Sequence, residues 1–257
     1  MNLLAIETAT PQVGVALLGD GGLLYATRLA GGRRHGEVLA PAITAALHVA
    51  GLTPADLTAV AVDRGPGLFT GLRVGLATAQ ALVDALRIPG AGVTSVEALA
   101  HPHRRGTLVV AAVVDARRHE VFRALYAPVD GALVEVAPPA VTTPADLATQ
   151  LAQVAADAPV LVVGDGGHRY AGELSGPGVE IAGPLDAHPD PAVVAEIAAA
   201  RLAGAGGGGA GGAGGDLRPL YLRQADVRIG WEARSAAAAR PPTQTAGAPV
   251  IPVSRHP

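Results

Sequence analysis

The chain opens with three short apolar runs, at residues 3–6, 13–18 and 23–28, separated by Glu7-Thr-Ala-Thr-Pro11 and Gly19-Asp-Gly-Gly22. Strand-forming runs bounded by turn-forming clusters predict a three-strand meander. After the basic turn Arg33-Arg34-His35-Gly36, apolar residues recur as Leu39, Ile43, Leu47 and Ala50 and stop at Gly51. That repeat lays one apolar stripe along a helix, with Pro41 in its opening turn or at a kink. A strand at 59–62, a glycine loop, a helix over about 72–86 and a strand at 91–93 complete the first unit.

A second round starts at 108–114, an unbroken apolar run of the kind a strand buried on both faces requires. It turns at Asp115-Ala-Arg-Arg-His119 into a strand at 121–125, and later come a strand at 161–163 and a helix over 192–202. Strand, turn, strand and helix thus occur twice, which predicts two related α/β lobes. The expected boundaries are 1–105 for the first lobe and 106–190 for a smaller second lobe. Residues 191–230 hold a C-terminal helix, a Gly/Ala linker at 204–215 and a returning segment, and 231–257 form a disordered tail. The linker is almost pure glycine and alanine, whose ordering entropy burial cannot offset. The tail lacks periodicity.

With 257 residues and 49% hydrophobic content, the chain can bury a sizeable core. No run of about 18 residues is apolar throughout, and no basic region precedes an apolar one at the start, so cytoplasmic residence without membrane contact is expected. The net charge of −3 gives no global field for polyanions, so tight unaided binding of a nucleic acid is not expected. All 19 basic residues are arginine and cysteine is absent. These absences exclude a Gly-Lys-Ser/Thr phosphate loop, a Schiff-base lysine, disulfides and thiolate metal sites.

Chemistry concentrates in Arg64-Gly-Pro-Gly-Leu-Phe-Thr-Gly-Leu-Arg-Val-Gly75, which succeeds a strand and opens a helix. Glycines there expose backbone N–H groups at a helix N-terminus, a place suited to an anion, although a tight turn alone gives the same sequence. Further on, Gly71, Gly75 and Ala79 stand at four-residue spacing beside Leu72 and Leu76, a ridge that lets another helix approach closely. Either the chain's own first helix or a partner's helix fits that description. His101 and His103 lie in a Pro- and Arg-rich loop, and no serine sits in a Gly-Xaa-Ser-Xaa-Gly elbow.

Four motifs in order give the chain a resemblance to the TsaB (YeaZ) family: Ile6-Glu-Thr-Ala-Thr10, Arg64 to Arg73, Asp115-Ala-Arg117 with Glu120-Val121, and Pro219-Leu-Tyr-Leu-Arg223. Leu68 departs from the family's usual serine. The resemblance implies the two-lobed actin-like, sugar-kinase-like ATPase (ASKHA) fold. In active members of that fold, aspartate-glycine hairpins surround the phosphates. Here the matching turns are Glu7 to Thr10 and Asp115 to Arg118, where side chains replace the glycines, so a degenerate nucleotide cleft is expected at Glu7, Thr8, Gly65, Gly67, Thr70, Asp115, Arg117 and Gly164.

The family's catalytic paralogue, TsaD, holds a metal through two histidines four residues apart. Laid on Ser95-Val-Glu-Ala-Leu99, both positions are lost. What the resemblance implies is a non-catalytic scaffold that activates TsaD, with TsaE as third component, for forming threonylcarbamoyladenosine in tRNAs reading codons that begin with A. ATP and a metal ion are then used by the partner subunits, with no cofactor or metal of this chain's own. The expected contact surface is His35, Leu39, Ile43, Gly71, Leu72, Gly75, Leu76 and Ala79, which also supports a homodimer when TsaD is absent. The alternative is an active ATPase or kinase with Glu7 and Asp115 holding magnesium.

Overall fold

A computed structural model of the chain describes residues 1–30, 34–204 and 216–223. Arg33 of the basic turn, residues 205–215 of the expected linker, and the expected tail at 231–257 lie outside the described residues. The first lobe runs β1 (Leu3–Glu7), β2 (Gln12–Gly19), β3 (Gly22–Ala30), α1 (His35–Val49), β4 (Ala59–Asp63), α2 (Phe69–Leu86), β5 (Gly90–Val93) and α3 (Ser95–Ala100). The second runs β6 (Val109–Arg117), β7 (Glu120–Val129), β8 (Ala132–Thr142), α4 (Pro144–Ala155), β9 (Val160–Val163), α5 (Asp165–Arg169), α6 (Ala171–Leu174) and β10 (Val179–Ile181), and α7 (Pro191–Gly204) comes last.

The first sheet has the order β3-β2-β1-β4-β5 and the second β8-β7-β6-β9-β10. In each, two antiparallel hairpins precede two parallel strands. This duplicated order is that of the actin-like, sugar-kinase-like ATPase fold. No described helix is long and apolar enough to cross a membrane.

The central strands are apolar at every position because alternate side chains serve two cores. On β1, Leu4 and Ile6 face α1 and α2, while Leu3 and Ala5 face α7. On the α7 side the sheet offers Ala5, Ala16, Ala59, Ala61 and Ala91 to Ala195 and Ala198, so small residues meet small residues. The C-terminal helix of the 191–230 segment, α7, therefore packs on the first sheet. β6 repeats the logic, with Val110, Ala112 and Val114 toward α3 and Ala111 and Val113 toward α4.

Among the elements without an expectation are α4 and β8. Thr53-Pro-Ala-Asp56 and Thr143-Pro-Ala-Asp146 are the same four residues. The first forms only a short 3-10 turn, whereas in the second the Thr143 hydroxyl caps Asp146 N at 3.1 Å and opens α4. The residues downstream of each make the difference: Leu147 and Leu151 form a buried helical stripe, while Leu57 leads into a strand. The other, β8, is an edge strand, which is where Pro138 and Pro139 are tolerated.

The expected docking surface is corrected. His35, Leu39, Ile43, Gly71, Leu72, Gly75, Leu76 and Ala79 are all buried within this chain. The small-residue ridge of α2 is filled, and by a strand and its turn rather than by a helix. A Cβ on Gly71 would lie 2.0 Å from Thr8 O, and one on Gly75 would lie 2.2 Å from Thr8 Oγ1. His35 is neither exposed nor capping; its Nε2 hydrogen-bonds Thr10 O at 2.8 Å. Pro41 sits in the second turn of α1 and removes one intrahelical donor there.

Residues 216–223 tie the lobes together. Leu217 enters the first lobe's core, Leu220 N donates to Arg64 O at 2.8 Å, Leu222 packs in the second lobe, and Arg223 donates to Ala116 O at 3.2 Å.

Gly75→Ala is expected to cost about 1–3 kcal/mol of stability through overpacking. Thr8→Ala, which removes the clashing Oγ1, is expected to cost less in the Gly75→Ala background than in the native chain. Urea denaturation of the four proteins checks this; strictly additive effects would contradict the contact.

Candidate functional site at the sheet ends

β1 and β4 are parallel neighbours in register, Ile6 beside Val62, and each apolar run ends in a carboxylate. The topology therefore sets Glu7 beside Asp63, both fully buried. Glu7 Oε1 accepts from Thr10 N at 3.1 Å and Thr10 Oγ1 at 3.2 Å, and Oε2 accepts from Gln12 Nε2 at 3.2 Å. Asp63 Oδ1 accepts from Gly65 N at 2.8 Å and Ser95 Oγ at 2.7 Å, while Oδ2 has no partner among the described residues.

Burial penalises both charges, and Asp63 adds repulsion to Glu7. Glu7 is pushed up to about 8 and Asp63, chiefly by burial, to about 7. Burial thus favours the protonated form of both carboxyls, which lowers the cost of leaving Asp63 Oδ2 without a partner.

The second lobe handles its carboxylates differently. Asp115, at the end of β6, accepts from Arg117 N and Arg117 Nη1, both at 2.9 Å, and Arg169 Nη1 stands 3.7 Å away. Its own N–H donates to Asp165 Oδ1 at 2.9 Å. Asp165 is raised by burial, and the half-buried His188 beside it is lowered by burial. The β6–β7 turn carries Arg117, Arg118 and His119 in succession at φ of 62°, 56° and 58°. Three left-handed residues in a row, none of them glycine, mark a strained hairpin where the fold's active members place glycines.

Of the eight residues expected in a nucleotide cleft, Glu7, Gly65 and Gly67 lie at or just beyond the C-terminal ends of β1 and β4, Asp115, Arg117 and Gly164 at those of β6 and β9, Thr8 in the β1–β2 turn and Thr70 in α2. Their groups are turned to internal use. Thr8 Oγ1 donates to Gly71 O at 2.8 Å, and Gly65 O accepts from Ser95 N at 2.9 Å. Gly67 presses on the β1–β2 turn so tightly that a Cβ would lie 2.1 Å from Ala9 O; at Gly164 one would lie 2.2 Å from Val113 O. Thr70 is exposed in the first turn of α2.

Ser95 and Leu99, the positions matched to a histidine pair, face this region, Ser95 on Asp63 and Leu99 against Gly164. A hydroxyl and an isobutyl group there offer no imidazole to a metal. Among the described residues no group of three His, Cys, Asp or Glu is placed to hold a metal ion.

Asp63, Thr10, Gln12, Asp165, Arg169 and His188 were missed from the sequence. The readable signal was the repeated pattern of an apolar strand ending in a carboxylate, at Glu7, Asp63 and Asp115. On the opposite face of α3 lies a separate cavity of about 650 Å³ lined by Arg64, Glu97, Tyr126 and Arg201 among others. Its guanidinium groups are engaged: Arg201 holds both oxygens of Glu97 at 2.6 Å, and Arg104 holds Glu196 at 2.7 Å. His101 adds a 3.4 Å contact to Glu196, so the His101–His103 region is a short packed 3-10 turn rather than a solvated loop.

The family model described as "TsaD: tRNA N6-adenosine threonylcarbamoyltransferase" matches residues 29–181. An uncharacterized protein of Mycobacterium tuberculosis is 44% identical over 160 residues, 62% of this chain and 72% of the relative. The tRNA threonylcarbamoyladenosine biosynthesis protein TsaB of Bacillus subtilis is 34% identical over 166 residues, 64% of this chain and 71% of that protein. Among solved structures, YeaZ from Pseudomonas aeruginosa matches with a TM-score of 0.71 at 29% identity, covering 86% of this chain and 99% of that one.

Because Glu7 and Asp63 titrate higher folded than unfolded, the native state binds more protons, and stability is expected to fall as pH rises from about 4 through 8. Asp63→Asn keeps an oxygen for Gly65 N and Ser95 Oγ and removes the repulsion. Urea midpoints across pH 5–9 are expected to decline less in this variant than in the native chain; parallel curves would contradict the coupling between the two carboxyls.

Proposed function

Since the chain belongs to the TsaB (YeaZ) family, we propose that it is a non-catalytic, cytoplasmic partner of TsaD in forming threonylcarbamoyladenosine in tRNA. TsaE joins the same assembly, and ATP and a metal ion are used by the partner subunits. The observation that carries the non-catalytic reading is the state of the two cleft carboxylates. Glu7 is enclosed by Thr10 and Gln12, and Asp115 is neutralised by Arg117 and Arg169. A carboxylate that serves magnesium-bound phosphate must present free lone pairs to the cation. Here they point at protein donors.

The docking face we propose is the outer side of α1 and α2, not their buried stripe. α1 carries one carboxylate, Glu37, and no arginine, and its exposed residues include Ala40, Pro41, Thr44 and Ala45. α2 contributes exposed Ala77 and Ala81 beside half-buried Val74 and Leu82. These small residues admit close helix packing, and the exposed charged residues of the two helices are Glu37, Arg73 and Asp84.

Reconstitution of tRNA modification from purified TsaD, TsaE and the remaining components, with and without this chain, tests the role. Modification is expected only when the chain is present. The Ala45→Arg, Ala77→Arg double variant is expected to keep its thermal midpoint and lose co-elution with TsaD. Modification indifferent to the chain would overturn the role, and intact co-elution would overturn the docking face.

A further inference from the structure

The chain holds only seven aromatic residues: two Phe, four Tyr and one Trp. Phe122, Tyr126 and Tyr170 are buried, as expected where apolar area is worth most inside. Phe69 and Tyr221 are each left 46% exposed, and they lie together, with ring centroids 5.6 Å apart and planes inclined by 33°. They come from distant parts of the described chain, Phe69 from the first turn of α2 and Tyr221 from the segment that ties the lobes. Arg73, one turn after Phe69, completes the group. Its Cζ sits 3.8 Å over the Phe69 ring and its Nε donates to Tyr221 Oη at 3.3 Å.

Charge around this group departs from that of the whole chain, which is net negative. Arg64 and Arg218 share Asp216, at 3.6 and 2.8 Å, and Arg223 pairs with Glu120. Among the described residues Arg73 has no carboxylate within ion-pair distance. Four guanidinium groups thus meet two carboxylates beside two exposed rings. These contacts hold residues 216–223 to α2 yet leave nearly half of each ring exposed.

We propose that the Phe69–Arg73–Tyr221 platform, flanked by Arg64, Arg218 and Arg223, is an RNA-contact surface that stacks one unpaired base. Every nucleobase has a π-face for an aromatic ring or a guanidinium plane, and the surplus positive charge answers the phosphates on either side. A surface for phosphate alone would have no use for the rings. Naming tRNA as the natural ligand rests on the function proposed above; stacking of RNA does not. Local surplus charge on an acidic chain predicts weak, salt-sensitive binding, enough to orient a tRNA already held by an assembly.

The test uses the full chain and a 5′-labelled twelve-nucleotide oligoadenylate, monitored by fluorescence anisotropy at a series of low salt concentrations. Phe69→Ala with Tyr221→Ala is expected to weaken binding about tenfold or more. Arg73→Gln is expected to reduce the salt slope by about one. Unchanged thermal midpoints confirm that both variants fold. No binding by the native chain, or equal binding by the ring variant, overturns the proposal. So does a ring variant that keeps oligonucleotide binding but loses co-elution with TsaD, since the platform would then be a protein interface. Conversely, a ring-dependent oligonucleotide affinity with tRNA modification indifferent to the chain would sustain the stacking surface and sink the pathway assignment.

Discussion

Much of the molecule depends on how closely the start of α2 approaches the β1–β2 turn. Thr8 O, Ala9 O and Thr8 Oγ1 occupy the places where side chains at Gly71, Gly67 and Gly75 would begin. No residue with a Cβ permits that distance. The approach fixes the turn, and the turn fixes its surroundings: Thr10 closes on Glu7, His35 on Thr10 O, and Leu68 N on Ala9 O at 2.7 Å. A glycine loop of this kind invites comparison with phosphate loops. Here the backbone that would greet a phosphate is pressed against protein.

The two lobes carry carboxylates at matching strand ends and dispose of the charge by different physics. In the first lobe Glu7 and Asp63 are dry neighbours, so burial favours the protonated form of both. In the second, Asp115 lies at the edge of a strained turn, and Arg117 and Arg169 supply the opposite charge. Glu7 and Asp115, the two carboxylates matched to the fold's phosphate turns, thus both face protein donors.

The alternation of strands and helices was legible because the central strands are unbroken apolar runs and α1 carries a regular stripe. β8 was not, since an edge strand with half-exposed residues and two prolines has no period to read. α4 was not expected although Thr143-Pro-Ala-Asp146 is a capping signal; the same residues at 53–56 open only a short 3-10 turn. The internal use of the expected cleft residues was invisible in the motifs: nothing local says that Arg117 folds back on Asp115. The docking residues failed for a related reason. A stripe of small and apolar residues on a helix marks a buried face and does not say whether the chain itself or a partner buries it.

The central claim is that the glycine loop and both cleft carboxylates are spent on holding the chain together. Isothermal titration of magnesium-ATP into the isolated protein tests it most directly. The predicted result is no saturable heat at millimolar nucleotide. Saturable binding that Asp115→Ala abolishes would contradict it.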